Sequence, residues 1–247
     1  MNLNDLIHPS FRLAKTEQDI YSVLPEDLRG QNDYDTKAWF YDTLIGNSLY
    51  NRVLWKSSLQ DYANFANMAA NSSKEPMLDA GCGTLVFTKA IHQQARRQTI
   101  LLDRSIGMLR RAQKALGSSC GYPGNTYLLQ ADVFSLPFLD GCFGTILSMG
   151  VLHLFEQPQI LLRGFAKKLK LGGSIYVSSL VAETNLGRRY LNLLHRAGEV
   201  GMPCQASQIR ALCEQQPELS MENFTVIGNM AYMTFRKSDE CSESRVS

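Results

Sequence analysis

An acid, two glycines and a second acid mark where this chain could do chemistry. Asp79 stands two residues before Gly81, Gly83 follows across Cys82, and Asp103 closes the apolar run Ile100-Leu101-Leu102. About Glu75 to Ala80 reads as a buried strand, the glycines as a turn into a helix, and Thr99 to Asp103 as a second buried strand. A glycine carries no Cβ, so the backbone at such a turn can come close to a ligand. An acid ending the second strand can accept hydrogen bonds from both hydroxyls of a ribose. Together these residues predict a nucleoside-bearing cofactor at the carboxyl edge of a parallel sheet.

The spacing discriminates among such cofactors. A dinucleotide site needs a third glycine where this chain has Val86, and no Gly-Lys-Ser/Thr follows the turn to make a phosphate loop. Asp79 would repel a pyrophosphate but suits a ligand bearing ammonium or sulfonium charge. S-adenosylmethionine carries both. A nicotinamide oxidoreductase stays open as an alternative that the missing glycine disfavours.

The elements that must position these residues follow in order. A helix is expected from Thr84 to Ala95, then another after Ser105 that ends near Gly117. The glycine- and serine-rich stretch 118–125 reads as a loop, and strands are expected over Thr126–Gln130 and Cys142–Ser148. A helix from Pro158 to Lys170 should stop at Gly172-Gly173, before a strand over Ser174–Leu180. Beyond it, helices over Asn185–Val200 and Gln205–Gln215 precede a closing hairpin, Thr225–Ile227 and Met230–Phe235, turning at Gly228-Asn229.

These residues resemble the class I S-adenosylmethionine-dependent methyltransferases, most closely the type 11, small-molecule and quinone-methyltransferase-like group. Leu78-Asp79-Ala80-Gly81-Cys82-Gly83-Thr84 is similar to the family's first motif, and Leu102-Asp103-Arg104-Ser105-Ile106-Gly107-Met108 to its ribose-binding strand end. Gln130-Ala131-Asp132-Val133 resembles the adenine-binding segment, and Phe143 through Ser148 and Met149 to His153 the fourth strand and its loop. The resemblance implies a Rossmann-like α/β fold, with a seven-stranded, mostly parallel sheet whose last strand is antiparallel. It also implies cofactor contacts from Asp79, Gly81, Cys82, Gly83, Asp103, Arg104, Met108, Asp132, Val133, Ser148 and Met149, with S-adenosylhomocysteine as product. Tyr41-Asp42 is similar to a segment that in this group places an aromatic over the methionine end of the cofactor. Two residues depart from the pattern. Leu85 stands where the family usually has a third glycine, and Gly144 where it usually has an aspartate.

Each role has a plainer alternative. Asp103 could cap the next helix, although Ser105 already supplies a cap. Asp79 could face the cationic end of the cofactor or only fix the glycine loop, and Asp132 could start a helix instead of accepting from adenine. His153 is the best-placed general base if the acceptor must lose a proton, and otherwise a hydrogen-bonded loop histidine. No His, Cys or Asp grouping has metal-ligand spacing, so no metal is expected.

Composition sets the remaining bounds. With 247 residues, 45% hydrophobic and 19% charged, the chain can bury a sizeable core. A net charge of +2 makes no demand for nucleic acid, and basic doublets such as Arg110-Arg111 read as solvated helix faces. The six cysteines follow neither a CxxC nor a disulfide pattern, no signal peptide is visible at the start, and no run approaches the ~20 apolar residues of a membrane span. A cytoplasmic setting follows. Residues 1–72, dense in aromatics, are expected to form a helical cap on a core at 73–237 with an insert at about 183–202, and 238–247 a disordered tail. The expected activity is methylation of a small, aromatic or lipophilic acceptor in a pocket that Phe40, Trp55, Phe155 and Tyr190 could line. A non-catalytic cofactor-binding or partner protein of the same fold is the alternative that Leu85 and Gly144 motivate.

Overall fold

The computed structural model describes residues 2–17, 19–30, 54–117 and 124–238. Nine strands form one sheet: β1 (Ala14–Glu17), β2 (Ile20–Ser22), β3 (Met77–Ala80), β4 (Thr99–Asp103), β5 (Thr126–Gln130), β6 (Phe143–Met149), β7 (Leu169–Leu180), β8 (Leu219–Ile227) and β9 (Met230–Lys237). Their order is β1-β2-β5-β4-β3-β6-β7-β9-β8. The five strands β5, β4, β3, β6 and β7 are mutually parallel, and β9 runs antiparallel to β7. From β3 the chain winds outward through β4 and β5, then returns to the other side of β3 for β6 and β7. Such a reversal leaves a crevice at the carboxyl ends of the central strands, where ligands of open α/β sheets bind.

The central strands are apolar because both of their faces are covered. Helix α1 (Leu59–Asn71) opens on a capping box in which Ser58 and Asp61 satisfy each other's backbone amides. Its Tyr62 and Phe65 lie edge-on or tilted against Tyr232 of β9, and Phe65 also meets Tyr176 of β7. Helices α2 (Lys89–Gln93) and α3 (Ile106–Leu116) follow β3 and β4, and α4 (Pro158–Lys168) precedes β7. Helices α5 (Asn185–Arg196) and α6 (Ala206–Glu214) lie between β7 and the closing hairpin.

Several expectations need correction. The sheet has nine strands rather than seven, because β1 and β2 extend its edge beyond β5, with Ile20 and Tyr21 in register with Leu128 and Leu129. The amino-terminal part is thus not wholly helical. The helix expected from Thr84 shrinks to five residues, Lys89–Gln93, because Leu85 turns the chain into the left-handed region at φ 65°. Gly172 and Gly173 do not stop α4. Strand β7 begins at Leu169, and the glycines sit inside it, where its register against β6 shifts. A Cβ on Gly173 would lie 2.8 Å from Leu169 Cγ, so that irregularity requires glycine.

Gly144 also has a spatial reason. A Cβ there would meet Glu75 Cβ at 2.4 Å and Ser73 Oγ at 2.8 Å. The stretch that leads from α1 to β3 therefore lies in the space a larger side chain would take. Arg97 fastens that stretch, donating to the carbonyls of Ser73, Glu75 and Ala69.

Candidate functional site

Four strand ends meet at the crevice. Gly81, at φ 75°, donates its amide to Leu102 O, and Cys82 does the same, so the turn after β3 folds back over the end of β4. A Cβ on Gly81 would lie 2.6 Å from Val151 Cγ2, which together with the positive φ restricts this position to glycine. Gly83, also left-handed at φ 55°, donates its amide to Asp103 Oδ2 at 2.9 Å. The other oxygen, Oδ1, accepts the Ser105 amide at 2.9 Å. A carboxylate oxygen has two lone pairs, so each oxygen of Asp103 keeps one acceptor site beyond these backbone bonds. Burial pushes the Asp103 pKa up to about 6, against the Ser105, Gly83 and Arg104 backbone amides that lower it, and nearby Asp79 adds to the rise. Asp103 is not the helix cap: Ser105 Oγ accepts the Met108 amide.

Asp79 and Asp103 thus flank the glycine turn. Asp79 is 1% exposed and bonds through Oδ2 to Nε2 of His92, also 1% exposed, at 2.7 Å. Cys82 is buried, and desolvation raises its thiol well above the ordinary range, so it acts as a small apolar filler. Leu85 is 1% exposed and packs with Ile20, Cys82, Leu101 and Ile106. A left-handed non-glycine residue costs ~1–2 kcal/mol, while full burial of a leucine contributes ~1.5–3 kcal/mol, so burial outweighs the strain. Its side chain belongs to the core.

At the next strand end, Asp132 accepts the Phe134 amide through Oδ1 and pairs with Arg104 through Oδ2 at 3.2 Å. Arg104 and Asp132 are therefore tied to each other across the ends of β4 and β5. Gln130, which sequence reading gave no separate role, donates from Nε2 to the carbonyls of Arg104 and Arg29 and holds that corner. Val133 packs half-buried against the main core. Ser148 is fully buried and donates to Ala80 O at 2.8 Å, so its hydroxyl joins β6 to β3 rather than facing the crevice. Met108 is likewise buried, whereas Met149 is half-buried at the end of β6. The backbone amide of Gly150 reaches Ser178 on β7.

His153 lies in a short 3-10 turn after β6 and accepts the Leu180 amide on Nδ1 at 3.3 Å. Desolvation lowers its pKa to about 4. A neutral imidazole that accepts on Nδ1 carries its proton on Nε2, which is then a hydrogen-bond donor. Trp55, buried in a cluster with Leu191 and Val200, meets Tyr190 edge-on at 5.7 Å, and Phe134 meets Phe155 at 4.5 Å. Tyr41 and Phe40 lie outside the described residues. Among the described residues no group of His, Cys, Asp or Glu could hold a metal ion, and no helix is long and apolar enough to cross a membrane.

Asn229 was legible only as a turn residue, yet it joins three segments. Its Nδ2 donates to Leu54 O and Thr184 Oγ1, its Oδ1 accepts the Thr184 amide, and its backbone bonds to Trp55 O and the Val181 amide. Asn-Gly-type turn chemistry gives no hint of this, because the partners come from residues far away in sequence.

Residues 78–177 match the methyltransferase domain family of type 11. The chain is 32% identical over 126 residues to a malonyl-[acyl-carrier protein] O-methyltransferase of Hamiltonella defensa, a match covering 50% of this chain and 46% of that protein. It spans less than half the length of each of the curated relatives it matches. Among solved structures, the [4+2]-cyclase SpnF superposes with a TM-score of 0.66 at 16% identity, over 83% of this chain and 93% of that one. A methyltransferase from Thermotoga maritima superposes at 0.60 with 14% identity, over 83% and 98%. At these identities the structures establish the Rossmann-like fold alone.

Proposed function

We propose that residues 78–177, which match the methyltransferase domain family of type 11, form a class I S-adenosylmethionine-dependent domain and that the chain methylates a small organic acceptor. The observation that carries the reading is the pair of carboxylates, Asp79 and Asp103, on either side of a glycine turn at the sheet's switch point. Asp103 keeps acceptor capacity for two ribose hydroxyls, and Asp79 places negative charge where an ammonium or sulfonium would lie. Asp132 and the Val133 backbone would hold adenine, and Met149 would border the methionine part. When bound, S-adenosylmethionine supplies an activated methyl group, so the protein's own work is orientation and exclusion of water.

His153 Nε2–H would donate to a polar atom of the acceptor beside the methylated position. Trp55, Tyr190, Phe134 and Phe155 favour a flat or lipophilic acceptor. The malonyl-carrier methyltransferases among the relatives bring a carboxylate acceptor into consideration as well.

Calorimetry tests the cofactor. S-adenosylmethionine and S-adenosylhomocysteine are both expected to bind, the product at least as tightly, and NAD not at all. Tight NAD binding with no response to the other two would overturn the reading. Nitrogen NMR tests His153: with its pKa lowered to about 4, the ring is expected to stay neutral with Nδ1 bare from pH 5 to 8. A ring that titrates near pH 6.5 would return it to the role of base.

A further inference from the structure

We propose that His92 is a positioning residue for the cofactor's amino-acid end, holding Asp79 by one oxygen and aiming it so that its second oxygen receives the ammonium group. This rests on the cofactor reading above and assigns a role to a histidine which that reading leaves unused.

A carboxylate excluded from water becomes protonated unless a partner stabilises its charged form. Asp79 is 1% exposed on a strand flanked by β4 and β6, where its neighbours in register are Leu101 and Leu147. Among the described residues, only His92 is hydrogen-bonded to that carboxylate, through Oδ2 at 2.7 Å. An ionised carboxylate accepts and cannot donate, so His92 gives its Nε2–H to Oδ2 and Oδ1 is left for something else.

The geometry gives the histidine little freedom. His92 sits in the five-residue helix α2, beside buried Ile91, and its own amide is held by Thr88 O. The left-handed Leu85 that delays this helix therefore also fixes where His92 enters the interior. The imidazole reaches back to Asp79 from the helix that follows the glycine turn. Asp103, close enough for Asp79 to influence its titration, lies on the other side of the turn and is occupied by backbone amides. The two acids are thus differentiated by their donors: Asp103 by amides that leave it free for hydroxyls, Asp79 by an imidazole that leaves it free for a cation.

Two ligands separate the roles. S-adenosylhomocysteine carries the ammonium, whereas 5′-methylthioadenosine keeps the adenosine and thioether but lacks the amino-acid end. Calorimetry is carried out on wild type, His92→Gln, Asp79→Asn and the double variant. Each single variant is expected to weaken S-adenosylhomocysteine about tenfold or more and 5′-methylthioadenosine less than twofold, and the double variant to lose no more than the worse single one. Equal losses for both ligands, or no loss for either, would overturn the proposal and leave His92 as a support of the loop. If His92→Gln fails to fold, Asp79→Asn decides by the same comparison, since it is isosteric and can still accept from the imidazole. Failure of wild type to bind either ligand would instead overturn the cofactor reading.

Discussion

Asp103→Ala is expected to weaken S-adenosylhomocysteine binding by ~2–3 kcal/mol, because it removes charge-assisted hydrogen bonds to two hydroxyls. The unliganded protein should scarcely notice. Burial raises the Asp103 pKa from 3.8 to about 6, so the folded protein holds a proton that the unfolded chain releases between those values. Stability from this group is therefore present at low pH and lost as pH rises through about 6, and at pH 7 the charged carboxylate stands as a net cost. Alanine relieves that cost while leaving the Gly83 and Ser105 amides to other partners, two effects of opposite sign. The same titration gives wild-type binding a pH dependence: affinity should fall as pH drops from 7 towards 5, whereas the variant's should stay flat. Calorimetry across that range, with melting curves of the unliganded proteins, checks both. A variant that melts much lower yet binds as wild type would make Asp103 a structural acid.

Asn229→Ala is expected to destabilise the protein by roughly 3 kcal/mol, since the Leu54 carbonyl and the Thr184 amide each lose a buried partner at ~1–3 kcal/mol apiece. The residue is fully buried, and a Cβ on Gly187 would come within 2.3 Å of its Nδ2, so its amide is closely packed. The damage should be local in a telling way. Hydrogen exchange is expected to quicken together at residues 54–58 and 184–196, the two stretches that Asn229 joins, while β3 to β6 keep their protection. Asn229→Asp should fare little better, because its second oxygen would face the Leu54 carbonyl. Melting curves and exchange measured on the same variants decide the matter. Quickened exchange spread evenly over the sheet would mean that Asn229 supports the whole fold and not this junction.

The sequence by itself determined the centre of this protein. Strands β4 and β5 end where their composition says they should, at Asp103 and Gln130, because a buried parallel strand must be a continuous apolar run and its polar end must come at the crevice. Helix α3 starts at Ser105 and closes at Gly117 for equally local reasons, a side-chain cap and a residue free to take positive φ. The closing hairpin turns at Gly228-Asn229 as read.

Tertiary structure decided what local pattern cannot encode. Leu85 could follow the glycine turn only because Ile20, from a strand added at the far edge of the sheet, helps to bury it. Gly144 answers to Ser73 and Glu75, which occupy its side-chain space from a preceding stretch. His153 accepts one backbone amide from the end of β7, and Asp79 acquires its partner from α2, which begins later than local pattern suggests. In each case the deciding contact joins residues far apart in sequence, and burial strengthens it by taking water away as a competing partner.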